Sequence, residues 1–192
     1  ELIIINDGST DNTLNILEKI RSFDSRIKIF NQKNMGLTKA LNYGVYKSKF
    51  DWIARIDADD ICDKNRLAEQ INHLTKSNNK KLYLIASSWI AIDKFGNEIK
   101  VNNLNFDSTV IRKRIQNFIP TLSHSTVIFN KNIFKKVGGY RERLKTCQDI
   151  DLWLRFLDFG YIETVKKPLV KVRFHEGQIT KIQRKSQLIN SA

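Results

Sequence analysis

Two rhythms of apolar positions alternate through the first 90 residues. Leu2-Ile3-Ile4-Ile5 is an unbroken apolar run closed by Asn6-Asp7-Gly8-Ser9-Thr10. A short run of this kind, stopped by turn-forming residues, predicts a buried strand that enters a turn. Asp11 follows where a helix cap belongs, and Leu14, Leu17 and Ile20 then recur at helical spacing. A second strand is predicted over 27–30, and a second helix over 37–46, entered through Asn34-Met35-Gly36. The third strand, over 52–56, runs into Asp57-Ala58-Asp59-Asp60. Leu67, Ile71 and Leu74 mark the next helix, and residues 82–86 the next strand.

Strands alternating with helices predict an α/β fold with a mainly parallel sheet and helices on its faces. Ligands of such sheets collect at the C-terminal ends of the strands. Both acidic turns, at Asp7 and at Asp57 to Asp60, fall at such ends. The second half has a different pattern. Residues 89–92 and 98–101 flank Asp93-Lys94-Phe95-Gly96-Asn97, which predicts a hairpin. A helix is expected over 110–118, a strand over 125–129 and a last strand over 171–174. Between the last two, residues 148–159 form a helical pattern with Leu152, Trp153, Phe156 and Phe159 on its buried face. No repeat or low-complexity linker interrupts the chain. The expected organisation is one domain over 1–180, a nucleotide-side half at 1–90 and an acceptor-side half at 91–180, with a polar tail at 181–192.

Composition narrows the class. A chain of 192 residues, 41% hydrophobic and 28% charged, is an ordinary globular domain with a real core. No apolar run approaches the roughly 20 residues that cross a bilayer. The opening Glu1-Leu2-Ile3-Ile4-Ile5 is too short and too acidic for a signal peptide. Cys62 and Cys147 match no metal or redox spacing, so two unlinked thiols in a reducing compartment are expected. The net charge of +13 suits a polyanionic partner, although the charge is spread along the chain with a denser stretch from 166 to 185.

Four constellations carry candidate chemistry. Asp57-x-Asp59 places two carboxylates after an apolar strand, where they can hold one hard divalent cation shared with phosphates. The bland alternative is a helix cap. An EF-hand is excluded, because its glycine and glutamate positions are occupied by Cys62 and Ala68. A phosphotransferase of the Asp-x-Asp-x-Thr type is disfavoured by Ile61. Asp7-Gly8-Ser9 can accept a hydrogen bond from a base or ribose, or serve as a plain turn. Asp149 and Asp151 lie near a helix start, where the helix dipole favours an ionised carboxylate able to act as a general base. Arg173-x-His175 follows a strand and can reach a diphosphate.

In order, these strings resemble glycosyltransferase family 2, whose domain has the Rossmann-like GT-A fold. The matching strings are Ile5-Asn6-Asp7-Gly8-Ser9-Thr10-Asp11, Asn34-x-Gly36, Ala40-Leu41-Asn42-x-Gly44 and Ile56-Asp57-Ala58-Asp59-Asp60. Further on come His124-Ser125-x-Val127, Gly138-Gly139-Tyr140, Asp149-x-Asp151-Leu152-Trp153-Leu154-Arg155 and Arg173-x-His175. Each is weak alone; the ordered set is specific and covers residues 1 to about 180. The resemblance implies that Asp7 contacts the nucleobase, Asp57 the ribose or nucleotide, and that Asp59 binds the metal, Mn²⁺ or Mg²⁺. It implies Asp149 as the catalytic base with Asp151 on the substrate side, and His175 as a diphosphate or metal contact. The implied reaction is a single inverting displacement on a nucleotide-diphospho-sugar, a UDP-sugar by analogy. The implied acceptor is a glycan or lipid-linked hydroxyl of a bacterial surface polysaccharide.

Asn6 and Gln148 stand where the family often has Asp and Glu. The match also begins at the family's second strand. The resemblance therefore implies a further strand between residues 2–5 and 52–56 that this sequence lacks. A cytoplasmic protein in peripheral contact with the inner membrane face would suit the basic surface. Two rivals are weighed. A sugar-phosphate nucleotidyltransferase also uses a strand-end carboxylate pair, but wants a Gly-rich phosphate loop that is not visible. A nucleic-acid-binding module wants clustered basic residues interleaved with exposed aromatics, whereas Trp52, Trp153 and Phe156 fall at core-like positions. No nucleic-acid partner is expected.

Overall fold

The computed structural model describes residues 1–144 and 146–175; the tail expected at 181–192 lies outside the described residues. Strand β1 (Leu2–Asp7), helix α1 (Thr13–Phe23), β2 (Ile27–Gln32), α2 (Leu37–Lys47), β3 (Trp52–Ala54), β4 (Ile61–Cys62) and α3 (Arg66–Lys76) make up the first part. They are followed by β5 (Leu82–Ile92), β6 (Glu98–Asn102), α4 (Ser108–Gln116), a 3-10 turn (His124–Thr126), β7 (Ile128–Asn130), α5 (Lys131–Lys136), α6 (Gln148–Leu157) and β8 (Tyr161–Arg173). Helix starts follow local chemistry. Asp107 caps α4 by accepting from the Val110 N–H, and Asn130 caps α5 by accepting from Asn132 and Ile133.

The α/β class holds, but the sheet is mixed, not mainly parallel. β1–β2 and β5–β8 are parallel ladders, whereas β3–β7, β5–β7, β5–β6 and β4–β8 are antiparallel. One of the antiparallel pairs, β5–β6, has a local reason. The five-residue turn at Asp93 to Asn97 returns the chain directly, and a hairpin can only be antiparallel. The first half of β5 pairs with β7 and the second half with β6, so both share one edge, while β8 runs along the other. The predicted strand over 125–129 divides into the 3-10 turn and β7. The last strand starts at Tyr161, well before the predicted position, because Lys166-Lys167-Pro168 breaks its apolar pattern. The ladder shows why these residues are tolerated: its register slips between Val165 and Pro168 opposite Ser87 and Ser88, so the lysines occupy a bulge.

Two sheets result. β1 pairs with β2 alone, and the larger sheet begins at β3; β1 and β3 do not pair with each other. Leu2 is exposed and Ile3 to Ile5 are only half-buried, although the unbroken apolar run predicts a strand covered on both faces. The core lies in the larger sheet, where Phe129 packs against Phe134, Trp153 and Phe156 at ring separations of 5.4, 6.2 and 6.0 Å. Trp153 and Phe156 are buried as expected, but Phe159 is only partly so. Helix α3 is a larger departure. Leu67 and Ile71 are exposed, and its buried residues are Arg66 and Gln70.

Candidate functional site

Asp7 ends β1, and its carboxylate is already well supplied with donors. Oδ1 accepts from Gln32 Nε2 at 2.7 Å and the Met35 N–H at 2.8 Å, and Oδ2 accepts from the Gly36 N–H at 2.9 Å. Burial works to raise its pKa, but these donors prevail and hold the carboxyl below its usual range. The turn beyond it needs glycine. Gly8 has φ +76°, and a Cβ there would lie 2.6 Å from the Asn34 nitrogen. Asp7 and Gly8 thus bind the turn after β1 to the loop that opens α2.

The second acidic turn follows β3. Asp57, Asp59 and Asp60 each offer a carboxylate oxygen, and the three lie within 4.8 Å of one another. The end of β8 folds over this turn. The Arg173 N–H donates to Asp60 Oδ1 at 2.8 Å, Arg173 Nε donates to the Asp59 carbonyl at 2.8 Å, and His175 Nε2 stands 3.1 Å from Asp59 Oδ2. Asp59 and His175, separated by 116 positions, thus stand within hydrogen-bond distance of each other. Carboxylate oxygens with an imidazole beside them fit a divalent cation of the Mg²⁺ or Mn²⁺ type. Asp60 is the further acid there, and burial pushes its carboxyl up.

Asp57 sits differently. Its two oxygens accept from the two terminal nitrogens of Arg55, the Nη1–Oδ2 distance being 2.6 Å. Oδ2 also accepts from Ser125 Oγ at 3.0 Å. Arg55 is buried, and sequence reasoning missed it because it lies inside an apparently apolar strand. A signal was present: residues i and i+2 of an extended chain share a face, so an arginine two positions before an aspartate is placed to pair with it.

Asp149 occupies the first turn of α6, entered through Cys147 at φ 57°. Burial pushes its carboxyl above the usual range, against the opposing pull of the Ile150 and Asp149 N–H groups. The charges of Arg55 and Asp57 also reach it, which places the acidic turn and this carboxylate in one electrostatic neighbourhood. Beside them His124 Nε2 stands 2.7 Å from Tyr140 Oη, and burial, aided by Arg55, keeps the imidazole neutral.

Asp151 is held between two arginines. Arg141 holds Oδ1 at 2.6 Å and Arg155 holds Oδ2, while Arg155 Nη1 donates to the carbonyls of Val137 and Gly139 at 2.6 and 2.8 Å. The same turn is tied to α2. Asn42 Nδ2 donates to the Tyr140 carbonyl and the Tyr140 N–H donates to Asn42 Oδ1, both at 2.9 Å. Two of the family-like strings thus form one joint between the halves of the chain. Among the described residues no helix is long and apolar enough to cross a membrane.

An uncharacterized glycosyltransferase of Rickettsia typhi, RT0329, is 31% identical over 188 residues, covering 94% of this chain and 56% of its own length. The putative glycosyltransferase EpsE of Bacillus subtilis is 31% identical over 178 residues, covering 90% of this chain and 62% of its own. The amylovoran biosynthesis glycosyltransferase AmsE of Erwinia amylovora is 27% identical over 185 residues, 94% of this chain and 67% of its own. The chain thus spans little more than half the length of the R. typhi relative. In three dimensions it resembles S. aureus TarS 1-349 in complex with UDP-GlcNAc, with TM-score 0.75 and 20% identity over 93% of this chain and 50% of that one. That likeness speaks to the fold. The glycosyl transferase family 2 profile matches residues 1–138, and the chain belongs to glycosyltransferase family 2.

Proposed function

We propose that this chain carries the donor site and the catalytic base of an inverting, metal-dependent glycosyltransferase. The donor is a nucleotide-diphospho-sugar, a UDP-sugar in particular, and the acceptor a glycan or lipid-linked hydroxyl of a bacterial surface polysaccharide. The observation that carries this reading is the acidic turn beside Asp149 at one end of the larger sheet. Residues 1–90 supply the nucleotide side, with Asp7 towards the base and Asp57 towards the ribose. Residues 91–180 supply the acceptor side.

Asp59 and His175 would hold the cation, with Asp60 beside them. Bound there, a divalent metal neutralises charge on the departing diphosphate. Asp149 takes the proton of the acceptor hydroxyl as its oxygen bonds to the anomeric carbon and the bond to the diphosphate breaks. Its raised pKa makes it a better proton acceptor than an ordinary aspartate once ionised. One base and one displacement suffice, without a covalent nucleophile. Asp151, clamped by two arginines, serves the substrate side by fixing the start of α6. The bound TarS structure and the polysaccharide-related relative AmsE support the choice of donor and pathway class. The basic surface, at net charge +13, suits work at the cytoplasmic face of a membrane.

Asp59→Asn tests the reading. It removes one charged metal ligand and leaves the side chain's size unchanged, so calorimetry on the full-length protein should show Mn²⁺-dependent UDP binding weakened at least about tenfold, the value of one charge-assisted contact. Unchanged affinity would show that Asp59 is not a ligand.

A further inference from the structure

Arg55 is placed in a way that the proposed reaction does not by itself require. It is 7% exposed, and its guanidinium forms a fork-to-carboxylate pair with Asp57. Ser125, 1% exposed, joins the same pair. Its Oγ accepts from Arg55 Nη1 at 2.9 Å and from the Asp57 N–H at 3.2 Å, and donates to Asp57 Oδ2 at 3.0 Å. The arginine's own backbone is fixed from behind. Its N–H donates to the Val127 carbonyl at 3.1 Å, and its carbonyl accepts from buried Arg66 Nη2 at 2.8 Å. Arg66 donates in turn to Val127 and Gln70, and Gln70 to Thr126. A second buried arginine thus anchors the first.

This arrangement is poorly explained as a stabilising ion pair. Desolvating the guanidinium offsets much of what its pairing with the partly exposed Asp57 returns. Among the described residues Arg55 Nε is moreover buried without a partner, an unmade hydrogen bond that a purely structural pair would be expected to avoid. The consequence for Asp57 follows from counting its acceptors. Oδ2 already takes two hydrogen bonds and Oδ1 one, which leaves a single outward lone pair on Oδ1. That is enough for one hydroxyl donor, and the guanidinium charge held against both oxygens weakens the carboxylate's pull on a cation.

We propose that Arg55 and Ser125 are positioning residues that withhold Asp57 from the metal and reserve it for a hydroxyl of the donor nucleotide. The proposal rests on the donor-site reading above and divides labour within one acidic turn. Asp57 is neutralised and oriented by Arg55. The charge facing the cation comes from Asp59 and Asp60, which matches a divalent ion without building a chelate that would hold the bare metal too tightly to share with a diphosphate.

Such a clamp makes metal binding and nucleotide binding move in opposite directions when it is loosened. In Arg55→Lys a point charge replaces the fork and cannot hold both oxygens. Asp57 is then released to the cation. Mn²⁺ alone should bind about tenfold more tightly and UDP, at saturating Mn²⁺, about tenfold more weakly, the factor of one charge-assisted hydrogen bond. Ser125→Ala removes one hydroxyl and keeps the arginine, so it should shift both affinities in the same directions by about threefold; it decides the matter if the lysine variant does not fold. Both titrations are run by calorimetry on the full-length protein and its variants. A lost structural contact would weaken both ligands together. If Mn²⁺ and UDP affinities fall together in the folded variants, or neither changes, the proposal is overturned while the donor site stands. If the unaltered protein shows no Mn²⁺-dependent UDP binding, the donor-site reading fails and the proposal with it.

Discussion

Replacing Asp149 by asparagine keeps the volume of the side chain and the start of α6 but removes its capacity to take a proton. If Asp149 is the base, kcat should fall by about 10²-fold or more, the scale of general-base catalysis, which is about 2.7 kcal/mol of barrier. The structure adds a second, independent expectation. Burial raises the Asp149 pKa above its unfolded value of 3.8, so between these two values the folded state holds the proton more tightly than the unfolded one. Stability therefore falls as pH rises through that window, and at neutral pH the folded protein bears the burial of an ionised carboxylate. Asparagine does not titrate. The variant should gain stability over the unaltered protein at pH 7, and the gain should vanish below pH 3.8, where both states of the native residue are protonated. The acid limb of the native pH–kcat/KM profile should likewise lie above 3.8. Sugar transfer is followed by release of the nucleoside diphosphate, and stability by urea unfolding at several pH values. A variant that is inactive because it is less stable, or one that transfers sugar at the native rate, would refute the assignment.

Two further substitutions separate structure from chemistry. Asp151→Asn breaks the pairing with Arg141 and Arg155, so urea unfolding should report a loss of about 1–3 kcal/mol, while kcat of the folded fraction changes only a few-fold. Gly8→Ala forces a Cβ to within 2.6 Å of the Asn34 nitrogen at φ +76°, so a loss of about 1–3 kcal/mol is expected by thermal unfolding, with UDP affinity reduced as the Asp7 turn shifts.

The sequence reveals those parts of the molecule in which chain order and spatial order coincide. Strand-to-turn transitions place Asp7 and Asp57 to Asp60 at strand ends, and the apolar period of α6 places Trp153 and Phe156 inward, because burial follows local period in both cases. Strand direction is set by partners remote in sequence, so the pairing of β7 with both β3 and β5 has no local signature. The same holds for α3. Leu67 and Ile71 give the right helix, but Arg66 and Gln70 are the buried residues, because the backbone carbonyls of Arg55, Ile85, Thr126 and Val127 need donors there. Arg55 was hidden for a related reason. Its burial depends on Asp57 and Ser125, which no apolar pattern reports. The meeting of His175 with Asp59, by contrast, was legible only through the order of the family-like strings.

The joint that α2 makes between the Asp7 turn and the body of the larger sheet affects how a ligand couples to order. Asp7 belongs to a two-stranded ladder whose covering helix, α1, buries no side chain, whereas Asp57, Asp59 and Asp149 stand on the well-packed body. The two are joined mainly through α2, by Thr38 to Leu144 and Asn42 to Tyr140. A donor that touches Asp7 with its base and the acidic turn with its diphosphate spans both units. Such a donor would tighten the α2 joint that holds them together, by linkage.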